Sequence, residues 1–168
     1  MTNSSSPGGT GEFHPPCLSV VVPAFNEAGT IAKVVQTVLA QPLVHEVIVV
    51  DDGSTDGTSA AIEPLTQANA RIKLFRHEIN QGKGASLRTG FAKATGPIVL
   101  VQDADLEYSP ADYPRLLEPI AQGKADVVFG SRFMGGQPHR VVYFWHMVGN
   151  KLLTLFSNMC TNINLTDI

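Results

Sequence analysis

Val47-Ile48-Val49-Val50-Asp51-Asp52-Gly53-Ser54-Thr55-Asp56-Gly57-Thr58 sets the fold. Four β-branched residues in a row suit a strand covered on both faces, since a strand wetted on one side would alternate polar with apolar. The run ends in two carboxylates and turn-forming Gly and Ser, and hydroxyls and a further acid then lead into a helical stretch. The same order recurs on both sides of it. Strand-like apolar runs fall at residues 18–22, 47–50, 72–75, 98–101 and 127–129. Helix formers at helical spacing occupy 28–40 and 85–94, while 110–122 has Ser109 as a cap candidate and Pro110 in its first turn. This alternation predicts an α/β fold in which a doubly wound, mostly parallel sheet lies between helices.

A chain of 168 residues suits one domain with one core. Its formal charge of -3 points to no nucleic-acid partner, so any anion must be bound locally. Cys17 and Cys160 lack metal-type spacing and fit a reducing compartment. Residues 1–16, rich in Ser, Gly and Pro with neither a basic stretch nor an apolar run, read as a disordered leader ahead of a domain over 17–168. The most apolar long segment, 141–159, is interrupted by His146, Gly149, Asn150 and Lys151, short of the roughly 18 apolar residues a membrane span needs. The expectation is a cytoplasmic chain, in peripheral membrane contact at most.

In a doubly wound sheet, ligands bind beyond the carboxyl ends of the strands. Asp103, Asp105 and Glu107 follow the fourth run and place three carboxylates within five positions. Such clustered charge calls for a cation, and hard oxygen ligands suit Mg²⁺ or Mn²⁺ shared with substrate phosphates. The plainer alternative is a solvated acidic turn. An EF-hand is disfavoured, because Tyr108 and Pro114 stand where its Gly and closing Glu belong. After the second run, a carboxylate at the sheet crevice can accept hydrogen bonds from a nucleotide, or Asp and Gly simply form the turn and Thr58 caps the helix. Asn80-Gln81-Gly82-Lys83-Gly84-Ala85-Ser86 sets two glycines around a lysine ahead of a helix, which lets amides and a cation approach phosphate. It is not a P-loop, since Gly84 follows the lysine and His77 occupies the leading glycine position, and no dinucleotide fingerprint is present. Ser131-Arg132 after the fifth run offers a guanidinium fork to an oxyanion, or a surface ion pair. The five histidines have no mutual spacing suggesting zinc or a triad and receive no role.

Taken in order, Val22-Pro23-Ala24-Phe25-Asn26-Glu27, Val50 through Thr58, Asn80-Gln81-Gly82-Lys83-Gly84, Asp103-Ala104-Asp105-Leu106-Glu107 and Gly130-Ser131-Arg132-Phe133 resemble the motifs of family 2 glycosyltransferases with the GT-A fold. The likeness is greatest to the branch containing dolichyl-phosphate mannose synthases and bacterial polyprenyl-phosphate glycosyltransferases. It implies that Pro23, Ala24, Phe25, Glu27 and Asp52 hold the nucleoside of a nucleotide-sugar donor, with Lys83 near its phosphates. It also implies that Asp103 and Asp105, flanking Ala104, are the D-x-D pair binding the diphosphate through Mg²⁺ or Mn²⁺. Glu107 would be a further ligand where relatives often have Gln, and Arg132 with Ser131 would meet the phosphate of a lipid acceptor.

The resemblance therefore implies an inverting, metal-dependent hexosyltransferase acting on a polyprenyl (dolichyl or undecaprenyl) phosphate at the cytoplasmic face of a membrane, in glycan or cell-envelope polysaccharide synthesis. Two alternatives stand beside it: a family 2 enzyme with a saccharide hydroxyl acceptor, and a nucleotide-sugar-binding module without turnover. The sequence stops at Asn164-Leu165-Thr166-Asp167-Ile168, within a segment that continues in relatives, so the domain is expected to be truncated there.

Overall fold

The computed structural model describes residues 16–105, 108–130 and 144–161. The chain divides into two compact units, 1–126 and 127–168. The expected leader over 1–16, apart from Pro16, lies outside the described residues.

The first unit is built on β1 (Leu18–Ala24), α1 (Ile31–Leu39), β2 (Val44–Asp51), α2 (Thr58–Ala68), β3 (Ile72–Arg76), α3 (Lys83–Lys93) and β4 (Ile98–Val101), followed by a 3₁₀ turn (Pro110–Asp112) and α4 (Tyr113–Ala121). The sheet order is β3-β2-β1-β4. Every neighbouring pair is parallel, with Val22 opposite Val49, Ala24 opposite Asp51 and Val21 opposite Val101. All four carboxyl ends therefore face one way, and the loops after β1, β2, β3 and β4 meet there.

Both faces of the central strands are covered, as their unbroken apolar runs require. On one face Leu18, Val20, Val22, Val47 and Val49 pack with α1, Ile62 of α2, and Tyr113 and Leu117 of α4. Helix α1 offers Ile31, Val34, Val35 and Val38, the i, i+3, i+4, i+7 stripe of a helix lying on a sheet. On the other face Val21, Ile48 and Val50 receive Leu87 of α3 and Phe75. Here α3 comes very near the sheet. A Cβ at Gly90 would stand 2.3 Å from Val21 Cγ1, so only glycine permits this approach.

At the opposite end of the sheet a polar staple ties the strands together. Glu46 is buried and accepts hydrogen bonds from Ser19 Oγ (2.6 Å), Lys73 Nζ (2.6 Å), Thr95 N (2.7 Å) and Thr95 Oγ1 (2.8 Å). Burial alone would raise its pKa, but the bonds from Lys73, Ser19 and Thr95 outweigh it and hold the carboxyl at about 2, against 4.5 ordinarily. A depressed folded-state pKa gives stability that is complete above 4.5 and disappears as pH falls towards 2. Because the Lys73 side chain is partly exposed, that contribution is about 2 kcal/mol. Glu46→Gln is expected to flatten the acid limb of the stability curve in this window while destabilising the chain near neutrality, as urea titrations at stepped pH will show.

Two sequence expectations need correction. Residues 127–129 form no strand. Val127 and Phe129 are exposed and have no ladder partner among the described residues, and an apolar run becomes a strand only where a neighbour supplies its hydrogen bonds. The helix expected over 110–122 begins as the 3₁₀ turn, with Ser109 Oγ accepting from Ala111 N at 3.3 Å as the cap reading required. In the second unit, α5 (Phe144–Thr161) leaves Leu152, Leu153, Leu155, Phe156 and Met159 exposed. No helix among the described residues is long and apolar enough to cross a membrane.

Candidate active site

The loops after β1 and β2 are clasped together, and the clasp uses most of the polar side chains in the Asp-Gly-Ser-Thr stretch. Asn26 N donates to Ser54 Oγ (2.9 Å), Thr55 N to Asn26 Oδ1 (3.0 Å), Glu27 N to Thr58 Oγ1 (2.8 Å) and Ala28 N to Asp56 Oδ2 (3.0 Å). Asn26 takes φ +57° to make this turn, a left-handed conformation that Asn tolerates better than most residues. Thr58 is thus a cross-brace, and the carboxylate at the start of α2 is Asp56, which accepts from Thr58 N at 3.0 Å and from Thr58 Oγ1 at 2.6 Å. Asp51 is structural too. It is fully buried and accepts from Ser54 N at 2.9 Å and from the Ser59 hydroxyl.

Asp52 faces the other way. Its carboxylate accepts from Gln81 N (3.1 and 3.2 Å to its two oxygens) and Gly82 N (2.7 Å), and His77 Nδ1 lies 2.6 Å from Oδ1. A carboxylate can only accept, so Nδ1 carries the proton there, and in the neutral ring Nε2 accepts from Thr89 Oγ1 at 2.9 Å. Burial pushes the Asp52 pKa up, but the bonds from His77, Gln81 and Gly82 prevail and hold it below its ordinary value. One carboxylate thereby fixes the loop before α3 against the end of β2. Gly53, at φ +75°, lets this happen, because a Cβ there would lie 2.8 Å from Asn80 N.

Beyond β4, Gln102 Nε2 donates to the carbonyls of Asp103 and Tyr108 (3.2 Å each), and its Oε1 accepts from the phenolic hydroxyl of buried Tyr113 at 2.9 Å. Burial raises the Tyr113 pKa, so this hydroxyl stays a donor. Gln102 and Tyr113 hold the segment from which Asp103 and Asp105 project. Lys83 Nζ reaches across from α3 to lie 2.5 Å from Asp103 Oδ1.

These elements enclose a pocket of about 360 Å³ lined by Pro23, Ala24, Phe25, Glu27, Asp52, Asn80, Gly82, Lys83, Ser86, Asp103, Ala104 and Asp105. A volume of that size suits a small organic ligand. The structure thus gathers every expected donor-site residue at one place. Glu107, Ser131 and Arg132 lie outside the described residues. His77, Thr89 and Gln102 are given no role by the sequence, and Asn80 and Ser86 enter it only as members of the stretch around Lys83. The sequence signal for His77 is its position just after a strand, rather than its spacing to other histidines.

The sequence model of glycosyl transferase family 2 matches residues 19–161. The chain belongs to that family. Curated relatives include a dolichol-phosphate mannosyltransferase of Pyrococcus furiosus, 32% identical over 71% of this chain and 34% of the relative. Another is a polyprenol monophosphomannose synthase of Mycolicibacterium smegmatis, 34% identical over 89% of this chain and 57% of the relative. Among solved structures, a mannosyltransferase from Pyrobaculum calidifontis in complex with GDP-Man and Mn²⁺ superposes with a TM-score of 0.57 at 29% identity, covering 68% of this chain and 34% of that one. Glucosyl-3-phosphoglycerate synthase from Mycobacterium tuberculosis in complex with UDP gives 0.53 at 32% identity, covering 65% and 41%. The family 2 chain described here spans between about a third and three-fifths of the length of these relatives. Its α/β sheet is that of the GT-A glycosyltransferases.

The donor set of this family 2 pocket fits a hard divalent cation. Asp103 and Asp105 both line it, Mg²⁺ and Mn²⁺ commonly take only one or two protein carboxylates, and phosphate oxygens and water complete the shell. Among the described residues no third His, Cys, Asp or Glu joins them in a ligand cluster. Lys83 already places one positive charge against Asp103.

Proposed function

We propose that the chain is the donor-binding part of an inverting, metal-dependent glycosyltransferase that takes a sugar from a nucleotide-sugar and passes it to a polyprenyl phosphate at the cytoplasmic face of a membrane. The observation that carries the donor half is the convergence of nine residues, Pro23, Ala24, Phe25, Glu27, Asp52, Lys83, Asp103, Ala104 and Asp105, at the carboxyl ends of the strands on one pocket. Support for the acceptor comes from the names of the curated relatives and from the Ser131-Arg132 motif.

Mg²⁺ or Mn²⁺, held by Asp103 and Asp105, would neutralise charge on the donor's diphosphate. The protein does the rest by placement. Asp52, fixed and ionised, accepts hydrogen bonds from the nucleoside, and the Pro23-Ala24-Phe25 wall, with Phe25 half-exposed at the mouth, gives a planar base an apolar surface. The Lys83 ammonium, shared between Asp103 and the diphosphate, stabilises the charge that grows as the nucleoside diphosphate departs. A phosphate monoester acceptor is largely dianionic near neutrality, with a second pKa of about 6, so it attacks the anomeric carbon without a general base. Attack from the face opposite the leaving group inverts that centre.

The test is calorimetry of UDP-glucose and GDP-mannose with and without Mn²⁺, followed by transfer assays offering a short-chain polyprenyl phosphate. Metal-dependent binding and a sugar-phosphate lipid product are expected. Failure to bind either donor or its relatives sinks the donor reading. Product formed on phosphoglyceric acid, which is bound in a solved relative of 31% identity, would replace the lipid acceptor with a small soluble one.

A further inference from the structure

We propose that the Ser86 hydroxyl is a hydrogen-bonding contact to the nucleobase of the donor and helps decide which base the pocket accepts; this rests on the donor-site reading above. Ser86 is fully buried, and its Oγ has no hydrogen-bond partner among the described residues, the one such side-chain atom found there. A buried hydroxyl is rarely left unpaired, because it has given up water for nothing. Serines in helices commonly turn back to the carbonyl four residues earlier. Here that carbonyl, Gly82 O, accepts instead from Ala85 N at 2.9 Å and Ser86 N at 3.3 Å. Ser86 is itself one of the residues that line the pocket.

Its place along the pocket selects the part of the donor it meets. Ser86 and Gly90 are one turn apart and share a face of α3, and Gly90 abuts Val21 of β1. Helix α3 packs on β1 and β2, and Thr89 binds the His77 ring that holds Asp52. Ser86 thus stands on α3 between Lys83, which meets Asp103, and Thr89, which serves the Asp52 end of the pocket, whereas Asp103 and Asp105 follow β4, beyond β1 in the sheet order. The diphosphate belongs with the metal carboxylates and Lys83, leaving the nucleoside for Ser86. Within the nucleoside, the flat base is the part that can be buried against Pro23, Ala24 and Phe25, while the vicinal ribose hydroxyls need more polar company than one serine. A serine hydroxyl both donates and accepts, so its selectivity arises from which atom of the base edge stands opposite it.

The experiment compares wild type with Ser86→Ala for binding of UDP, GDP, CDP and ADP, and of inorganic pyrophosphate as a base-free ligand, all with Mn²⁺. Alanine is the best helix former, so the variant folds, and its ligand-free melting temperature is expected to equal or exceed that of wild type because an unpaired buried hydroxyl has gone. The preferred nucleotide should bind about ten-fold more weakly, the preference among bases should shrink, and pyrophosphate should bind as before. Equal loss for nucleotide and pyrophosphate, unchanged ratios among the four bases, or no loss at all would each overturn the proposal. Wild type that binds none of the four nucleotides would instead overturn the donor-site reading itself.

Discussion

Asp103→Ala combined with Asp105→Ala is expected to lower sugar transfer by about 10³-fold or more and to remove the Mn²⁺ dependence of donor binding. The two carboxylates are the described acidic side chains that follow β4 into the pocket. Their loss takes away the divalent ion that would supplement the Lys83 ammonium at the diphosphate. Folding should survive. Asp103 is partly exposed, its partner Lys83 more so, and Gln102 and Tyr113 hold the backbone at this point. Calorimetry at increasing Mn²⁺ and a thermal melt separate the outcomes. Metal-dependent binding that persists in the double variant would place the metal elsewhere.

Asp52→Ala should weaken nucleotide binding by about 100-fold, more than a single lost ligand contact explains. The substitution removes an acceptor for the nucleoside and also strands the amides of Gln81 and Gly82 and the Nδ1–H of His77. Each stranded donor that is partly shielded from water costs about 1–3 kcal/mol, which the chain escapes by letting the loop before α3 drift, taking Lys83 with it. His77→Ala removes one of these bonds and keeps the rest, so it should cost distinctly less, and a double-mutant cycle should show the pair coupled. The pH dependence follows from the depressed pKa of Asp52. Since the group ionises below its ordinary 3.8, its contribution to binding and to loop order is complete above 3.8 and is lost only as pH falls beneath that value. Binding that weakened between pH 7 and 5 would therefore have to be ascribed to other groups.

Legibility in the sequence differed by element. Strands β1 and β2 were readable because they are buried on both faces, so that their apolar runs were unbroken. The run at 127–129 looked the same on paper, but an apolar run fixes only a tendency and the neighbour that completes a strand is non-local. The rule that chemistry follows strand ends drew attention to the segments after β2 and β4, the flanking glycines pointed to Lys83, and the individual donor-site roles were what the family resemblance implied. What could not be read was the division of labour within Asp51-Asp52. Adjacent and chemically identical, they point to opposite sides of the chain, Asp51 into the α2 turn and Asp52 toward the loop before α3. The pairing of His77 with Thr89 was not legible, because it arises from a helix pressed against the sheet at Gly90, a contact no local pattern announces.

Strand β4 is four residues long and pairs with β1 alone among the described residues, yet the carboxylates Asp103 and Asp105 follow directly from its end. Its Val99 and Val101 side chains are exposed where those of β1 are sealed. Such a strand opens more readily than the sheet's centre, and its amide protons exchange with solvent sooner. A cation and diphosphate bound beyond it must first settle that edge, and part of the energy of contact goes into doing so. Measured affinity for the donor thus understates the strength of the individual contacts, and protection from exchange at Ile98–Val101 becomes a gauge of occupancy some distance from the ligand itself.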